Sequence, residues 1–279
     1  MYFIDTHAHL DMIKSMTPEE SLQRSLSDGV RYIINVGSSI EGSRKSVRYA
    51  RQFHDVFASV GIHPHDAKDF GSREIKILKS LIAGSEDEPI DDPSFKSGDG
   101  ERFEKVVAVG ETGFDFFRNL SPRPSQEKAF RAHIELAIEY DLPLIIHDRD
   151  AHEEILNILK EYSANKNFRG VIHCFSGSLD FASRCIETGL HISYTGVITF
   201  PNAKDLQEAV KEIPIEKIFI ETDSPFLAPQ DKRGKENYPG YVKYIAQKIA
   251  ELKELTLEEV AAATSKNAED FFSLTPFIK

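Results

Sequence analysis

Short apolar runs alternate along this chain with longer segments whose apolar residues recur every three or four positions. Eight of the short runs read as strands: Tyr2–His9, Arg31–Val36, Val56–His63, Val106–Glu111, Leu142–His147, Gly170–Phe175, His191–Val197 and Lys217–Thr222. Most are near-continuous in Val, Ile, Phe and Leu, as parallel strands covered on both faces should be. The segments between them carry helix signals. Thr17-Pro18-Glu19-Glu20 supplies an N-cap, a first-turn proline and a glutamate that closes a capping box, and Thr256–Glu259 repeats the box before a terminal helix. Between Ser125 and Tyr140, the residues Ala129, Phe130, His133, Ile134, Ala137 and Ile138 form one helical stripe, which assigns His133 to packing.

Eight β/α alternations in 279 residues, with no composition shift to mark a second domain, predict a single (β/α)8 TIM barrel spanning 1–279. An open doubly wound sheet is the alternative. It would ordinarily carry a glycine-rich phosphate loop after its first strand, where this chain has "THAHLD". The 41% apolar and 28% charged content is that of a soluble globular protein. No apolar stretch approaches the roughly 18 residues of a membrane span, and Asp5, His7, His9 and Asp11 interrupt the first run before it could serve as a secretory signal. Two cysteines, Cys174 and Cys185, are too few for a disulfide framework. Together these features predict a cytoplasmic protein with no membrane partner.

The net charge of −11 would ordinarily argue against a nucleic-acid partner. Its distribution weakens that argument, because "GSEDEPIDDPSFKSGDGE" at 84–101 carries seven acids against one lysine. That segment, rich in Pro, Gly, Ser and Asp and without hydrophobic period, reads as a solvated loop inserted before the fourth strand.

A barrel places chemistry at the carboxyl ends of its strands. His7 and His9 close the first strand, His63 and His65 the third, Glu111 the fourth, His147 the fifth, His173 the sixth, and Asp223 follows the eighth. Strand residues two apart share a face, so His7 and His9 aim two imidazoles at one point, which suits a divalent cation. Glu111 adds a carboxylate able to bridge two cations, and His147, His173 and Asp223 bring further ligand types to the same rim. Six such groups on five strands would otherwise bury several polar groups at a cost of a few kcal/mol each, so the set is sufficient for two metals.

The motifs "DTHAHLD", "GIHPHDA", "VGETGFDF", "IIHDRDAHE", "VIHCFSGS" and "IETDSPFL" stand in this order along the chain. In them the sequence resembles the TatD family of metal-dependent deoxyribonucleases, within the amidohydrolase superfamily of metal-bearing TIM barrels. The resemblance covers nearly the whole chain, with the acidic insertion as its main departure. It implies one metal held by His7, His9, Glu111 and Asp223 and a second held by Glu111, His147 and His173. Two cations about 3.5–4 Å apart would polarise a phosphoryl oxygen and lower the pKa of a shared water. Asp223 is then general base as well as ligand, and Glu111 the catalytic bridge. The identity of the metals, Zn2+, Mg2+ or Mn2+, is left open by this mixed donor set.

His63 and His65 are assigned to substrate binding. In similar proteins the residue at His63 lies close to the substrate phosphate, while packing of His65 against Asp66 is an alternative. Arg118 and Arg149, in the loops after the fourth and fifth strands, could hold a phosphate through paired bonds. In the eighth loop, Lys232, Arg233 and Lys235 stand beside Tyr238 and Tyr241, a basic and aromatic group able to track a single strand. His54, His152 and His191 are read as structural, and Cys174 as a small buried hydrophobe facing away from its neighbour His173.

The resulting expectation is a metal-dependent phosphodiesterase acting on DNA through backbone contacts, a 3′-5′ exodeoxyribonuclease on single strands or ends, without an obligate protein partner. No sequence-reading motif is present. An amidohydrolase cleaving an ester or amide, such as an aminoacyl-tRNA deacylase, could use the same site. A non-enzymatic metal-binding scaffold would not need the complete ligand set.

Overall fold

The apolar runs form strands β1 (Phe3–Ala8), β2 (Val30–Val36), β3 (Val56–Val60), β4 (Val106–Asp115), β5 (Leu144–Arg149), β6 (Gly170–Ile172), β7 (His191–Tyr194) and β8 (Ile218–Ile220). The computed structural model describes residues 1–84, 103–274 and 277. Every strand pairs in parallel with its sequence neighbour, giving one eight-stranded sheet in the order β1 to β8. Between and after the strands lie α1 (Pro18–Ser27), α2 (Ile40–Gln52), α3 (Ser72–Ile82), α4 (Arg123–Glu139), α5 (His152–Tyr162), α6 (Leu179–Glu187), α7 (Lys204–Glu212), α8 (Val242–Lys253) and α9 (Leu257–Phe271). This is a (β/α)8 TIM barrel. Both predicted capping boxes form, at Thr17 with Glu20 and at Thr256 with Glu259.

The sheet closes where β1 meets the end of β8. Ala8 bridges Ser224 in parallel, the Asp223 N–H donates to the His7 carbonyl at 2.9 Å, and the His9 N–H donates to the Ser224 carbonyl at 2.8 Å. A buried side chain reinforces the seam. The Asp5 carboxyl accepts the Thr222 N–H at 2.9 Å and the His7 N–H at 3.2 Å, and is paired with the Thr222 hydroxyl at 2.6 Å. Three backbone and side-chain donors that burial would otherwise strand are thereby satisfied.

Alternation along the strands splits the core in two. Ile4, Tyr32, Ile34, Phe57, Val107, Ile145, Val171 and Phe219 fill the barrel interior together with Phe271, Phe272 and Leu274 at the end of α9. Phe3, Ile33, Val56, Val60, Val106 and Ile146 pack outward beneath the helices. The interior is therefore solid, and access is confined to the mouths.

Several predicted spans differ from the observed ones at their carboxyl ends. β3, β6, β7 and β8 stop before His63, Phe175, Val197 and Thr222, whereas β4 and β5 continue to Asp115 and Arg149. The predicted acidic insertion at about 84–101 falls between α3 and β4, and beyond Gly84 it lies outside the described residues. Among the described residues no helix is long and apolar enough to cross a membrane.

Candidate metal centre

Glu111 sits within β4, and two glycines bring this strand hard against β5. A Cβ on Gly110 would lie 2.5 Å from the Ile145 carbonyl oxygen and one on Gly113 would lie 2.1 Å from that of His147, with φ at +123° and +141°. Only glycine tolerates either position. His147 is on β5 and His7 on β1, while His9, His63, His173 and Asp223 occupy the first turns beyond their strands. Asp223 is held with φ at +52°. The convergence of His7 and His9 thus depends on the turn after Ala8 as well as on strand alternation.

Four ligand-type atoms meet on one side of Glu111. His7 Nε2 lies 3.3 Å from His9 Nε2, 3.6 Å from Glu111 Oε2 and 3.7 Å from Asp223 Oδ1. His9 Nε2 lies 3.8 Å from the same Glu111 oxygen and 3.6 Å from Asp223 Oδ1. Donors about 2.1 Å from a tetrahedral cation stand about 3.4 Å from one another, so these five separations match the edges of such a shell. The tautomer agrees: His9 Nδ1 lies 2.9 Å from the Val36 carbonyl, which can only accept, so this nitrogen carries the proton and Nε2 turns a lone pair to the centre.

On the other side, Glu111 Oε1 lies 2.8 Å from His147 Nδ1, 2.9 Å from His173 Nε2 and 3.4 Å from His63 Nε2. His147 Nδ1 and His173 Nε2 are 3.3 Å apart. The six predicted ligand residues are therefore brought together in one place. Burial by itself would raise the Glu111 pKa, but the imidazoles of His173 and His63 and hydrogen bonds from His147 and His173 hold it well below the usual range. Burial would lower His173, which Glu111 and Glu221 instead hold well above its ordinary value. His7 is lowered, chiefly by burial and then by His173, and burial raises Asp223. Imidazole nitrogens and carboxylate oxygens gathered this closely around Glu111 form a donor set that fits divalent metal.

Two acids absent from the predicted set stand behind the imidazoles. Asp115 Oδ2 lies 2.8 Å from His65 Nε2 and 3.5 Å from His147 Nε2, and Asp115 Oδ1 accepts the Arg118 N–H at 2.7 Å. Glu221 accepts the Cys174 N–H and lies 3.3 Å from His173 Nδ1. Such partners orient ligands and raise their basicity. Both acids stand at carboxyl ends of strands, the same signal that selected the ligands. His133, correctly read as packed, also donates through Nδ1 to the Ala129 carbonyl and accepts the Ile62 N–H at Nε2, at 2.7 and 3.1 Å. It thereby fixes the turn that carries His63.

The remaining predicted residues line a cavity of about 890 Å³ above the cluster, with His63, His65, Arg118 and Arg149 in its wall. His63 caps a 3-10 turn, Pro64–Asp69, and its Nδ1 accepts the His65 N–H at 3.1 Å. Burial holds the ring neutral, so His63 Nε2 carries the proton and is a donor facing the centre. His65 pairs with Asp115 and not with Asp66, because both rings lie in the turn beyond β3 and not on the strand. Arg118 and Arg149 are exposed. Arg149 closes β5 and does not lie in the following loop; its guanidinium stacks 4.6 Å from the Phe117 ring centroid.

Two other expectations are corrected. Cys174 does not face away from His173 in the barrel wall: β6 has already ended at Ile172, Cys174 takes φ +47°, and its side chain lines the cavity. Tyr238 and Tyr241 cannot stack a base, since both are buried. Tyr238 hydrogen-bonds Asp28, while the Lys232 ammonium lies over the rings of Tyr241 and Tyr244. The residues read as structural behave so. His152 pairs with Asp148 at 2.8 Å, His191 stacks on Phe219 and His54 pairs with its neighbour Asp55.

A family model described as TatD related DNase matches residues 4–273. The chain is 40% identical over 271 residues to the metal-dependent hydrolase YabD of Bacillus subtilis, spanning 97% of this chain and 98% of that one. It is 33% identical over 262 residues, 92% of each chain, to a Citrobacter rodentium protein named 3'-5' ssDNA/RNA exonuclease TatD. The crystal structure of YJJV, a TatD homolog from Escherichia coli, aligns with a TM-score of 0.82 at 29% identity, covering 97% of this chain and 98% of that one.

Proposed function

The chain belongs to the TatD family of metal-dependent hydrolases, and on that premise we propose that it cleaves DNA phosphodiester bonds as a 3′-5′ exonuclease on single strands or ends, all 279 residues acting as one catalytic unit. The observation that carries this reading is the division of Glu111. One of its oxygens faces His7 and His9, and the other faces His147 and His173. One cation would be held by His7, His9, Glu111 and Asp223, and a second by Glu111, His147 and His173.

Such a pair supplies polarisation of a phosphoryl oxygen and acidification of a water. The side chains of the chain account for the other requirements. Burial makes the Asp223 carboxylate more basic than usual, which suits it to accept the proton of an attacking water. His63, neutral with its Nε2 proton turned to the cavity, can donate to a phosphate oxygen. Arg118 and Arg149 on the cavity wall can pair with flanking phosphates. Strand polarity and the choice of nucleic acid follow the name of the Citrobacter relative. A cavity closed below by the packed barrel suits a strand end better than a continuous duplex.

The test is turnover of end-labelled single-stranded DNA by protein stripped of metal and reloaded with Zn2+, Mg2+ or Mn2+ in turn, beside an aminoacyl ester and a cyclic amide. Hydrolysis of the ester or amide with none of the DNA would overturn the proposal. Glu111→Ala should abolish turnover while the circular dichroism of a folded barrel is retained.

A further inference from the structure

Among the described residues the exposed large hydrophobic side chains are Met1, Leu26, Phe117, Leu120 and Phe226. Three of the five belong to one mouth of the barrel. Leu120 and Phe226 line the cavity above the cluster, and Phe117 stacks with the cavity-lining Arg149. Apolar side chains gathered at the rim of a polar cavity mark a binding surface, because exposing them to water is unfavourable.

Their positions around the ring are informative. Phe117 and Leu120 ride on the loop after β4, and Phe226 rides on the loop after β8. In a closed eight-stranded ring those two strands stand opposite each other, so the apolar residues flank the mouth from two sides. Phe226 is 51% exposed, yet its backbone is held firmly. Its N–H donates to the Asp223 carbonyl at 2.9 Å. The buried Asn237 amide donates both to the Phe226 carbonyl and, at 2.9 Å, to that of Thr222, while the Asn237 N–H donates to the Pro225 carbonyl at 3.2 Å. The Phe226 ring lies 6.3 Å from the His9 ring, edge to face. A flat ring on a rigid turn, one ring's contact from the hydrolytic centre and open to the cavity, is pre-organised for a planar ligand.

We infer that Phe226 is the stacking platform for the nucleobase adjoining the scissile phosphate, with Leu120 closing the opposite side and the Arg149–Phe117 pair engaging the next phosphate. The inference rests on the phosphodiesterase reading and deepens it, since it assigns where a base, and not only a backbone, is held. Stacking tolerates every base, so the site would bind single strands without selecting sequence. A base still paired in a duplex presents no free face to Phe226, which gives the preference for frayed ends a physical cause.

Binding is measured with a hydrolysis-resistant phosphorothioate trinucleotide carrying 2-aminopurine at each position in turn, on metal-loaded wild type, Phe226→Ala and Phe226→Leu. Hydrolysis of oligothymidylate is followed in parallel. At one position the wild type should quench the fluorophore by stacking. Phe226→Ala should remove the quench and weaken binding about 5- to 100-fold, raising KM by a similar factor with kcat less affected. Phe226→Leu should restore part of the affinity without the quench. Wild-type hydrolysis of DNA together with unaltered binding and quenching in Phe226→Ala would overturn the stacking role alone. Failure of the wild type to bind or cleave DNA would overturn the phosphodiesterase reading and the stacking role with it.

Discussion

Acidification should expose the part played by His133. Its ring is fully buried, donates to the Ala129 carbonyl and accepts the Ile62 N–H. Burial pushes its pKa down to about 4 from an ordinary 6.5. Protonation would also remove the lone pair that the Ile62 N–H requires. An unfolded chain takes up this proton near pH 6.5 whereas the folded one resists until about pH 4, so the stability this group contributes is intact above pH 6.5 and is lost as pH falls through that window. Between pH 7 and pH 5 the two pKa values give a loss of about 2 kcal/mol, rising to about 3 kcal/mol below pH 4. The assay is urea unfolding of wild type and His133→Gln at pH 7 and at pH 5, with the same metal loading. The other ionisable groups are common to the two proteins and their contributions cancel in the difference, so the wild-type loss should exceed that of the variant by about 2 kcal/mol. NMR supplies a direct check, since the His133 ring signal should not titrate between pH 8 and pH 5. Equal losses in the two proteins, or a His133 signal that titrates near pH 6.5, would refute the reasoning.

The seam between β1 and β8 can be probed at Asp5: Asp5→Ala strands three buried donors and should cost about 3 kcal/mol or more in urea unfolding, whereas Asp5→Asn keeps an acceptor oxygen and should cost less than half as much. Glu221→Gln removes the charge behind His173 and should weaken metal binding roughly 10- to 100-fold in competition titrations with a chelating dye; unchanged affinity would remove Glu221 from the supporting set. Arg149→Ala should weaken single-strand binding and reduce the slope of log affinity against log salt by about 0.7, the value for one phosphate contact.

The fold was legible in the sequence because its causes are local. Continuous apolar strands, amphipathic helices and two capping boxes are properties of neighbouring residues, and eight repeats of one unit leave few arrangements. The grouping of the candidate ligand residues was legible for a related reason: a barrel gathers the carboxyl ends of its strands, so His7, His9, Glu111, His147, His173 and Asp223 could be collected in one place without coordinates. Strand ends were less legible, since hydrogen bonds with the next strand set them, and this is why His63 and Cys174 stand on turns with orientations that alternation did not predict.

What only the tertiary structure decided was which polar groups face each other. Asp5 with Thr222 and Cys174 with Glu221 are pairs 217 and 47 residues apart, and no local pattern encodes them. Tyr238 stands in the basic and aromatic group read as able to track a single strand and is instead buried against Asp28, while Phe226, to which no role was assigned within the motif "IETDSPFL", stands open beside the centre. Strand and helix periods state which face of an element avoids water; only the packing of all eight units settles which apolar face finds a partner inside the protein and which is left for a ligand.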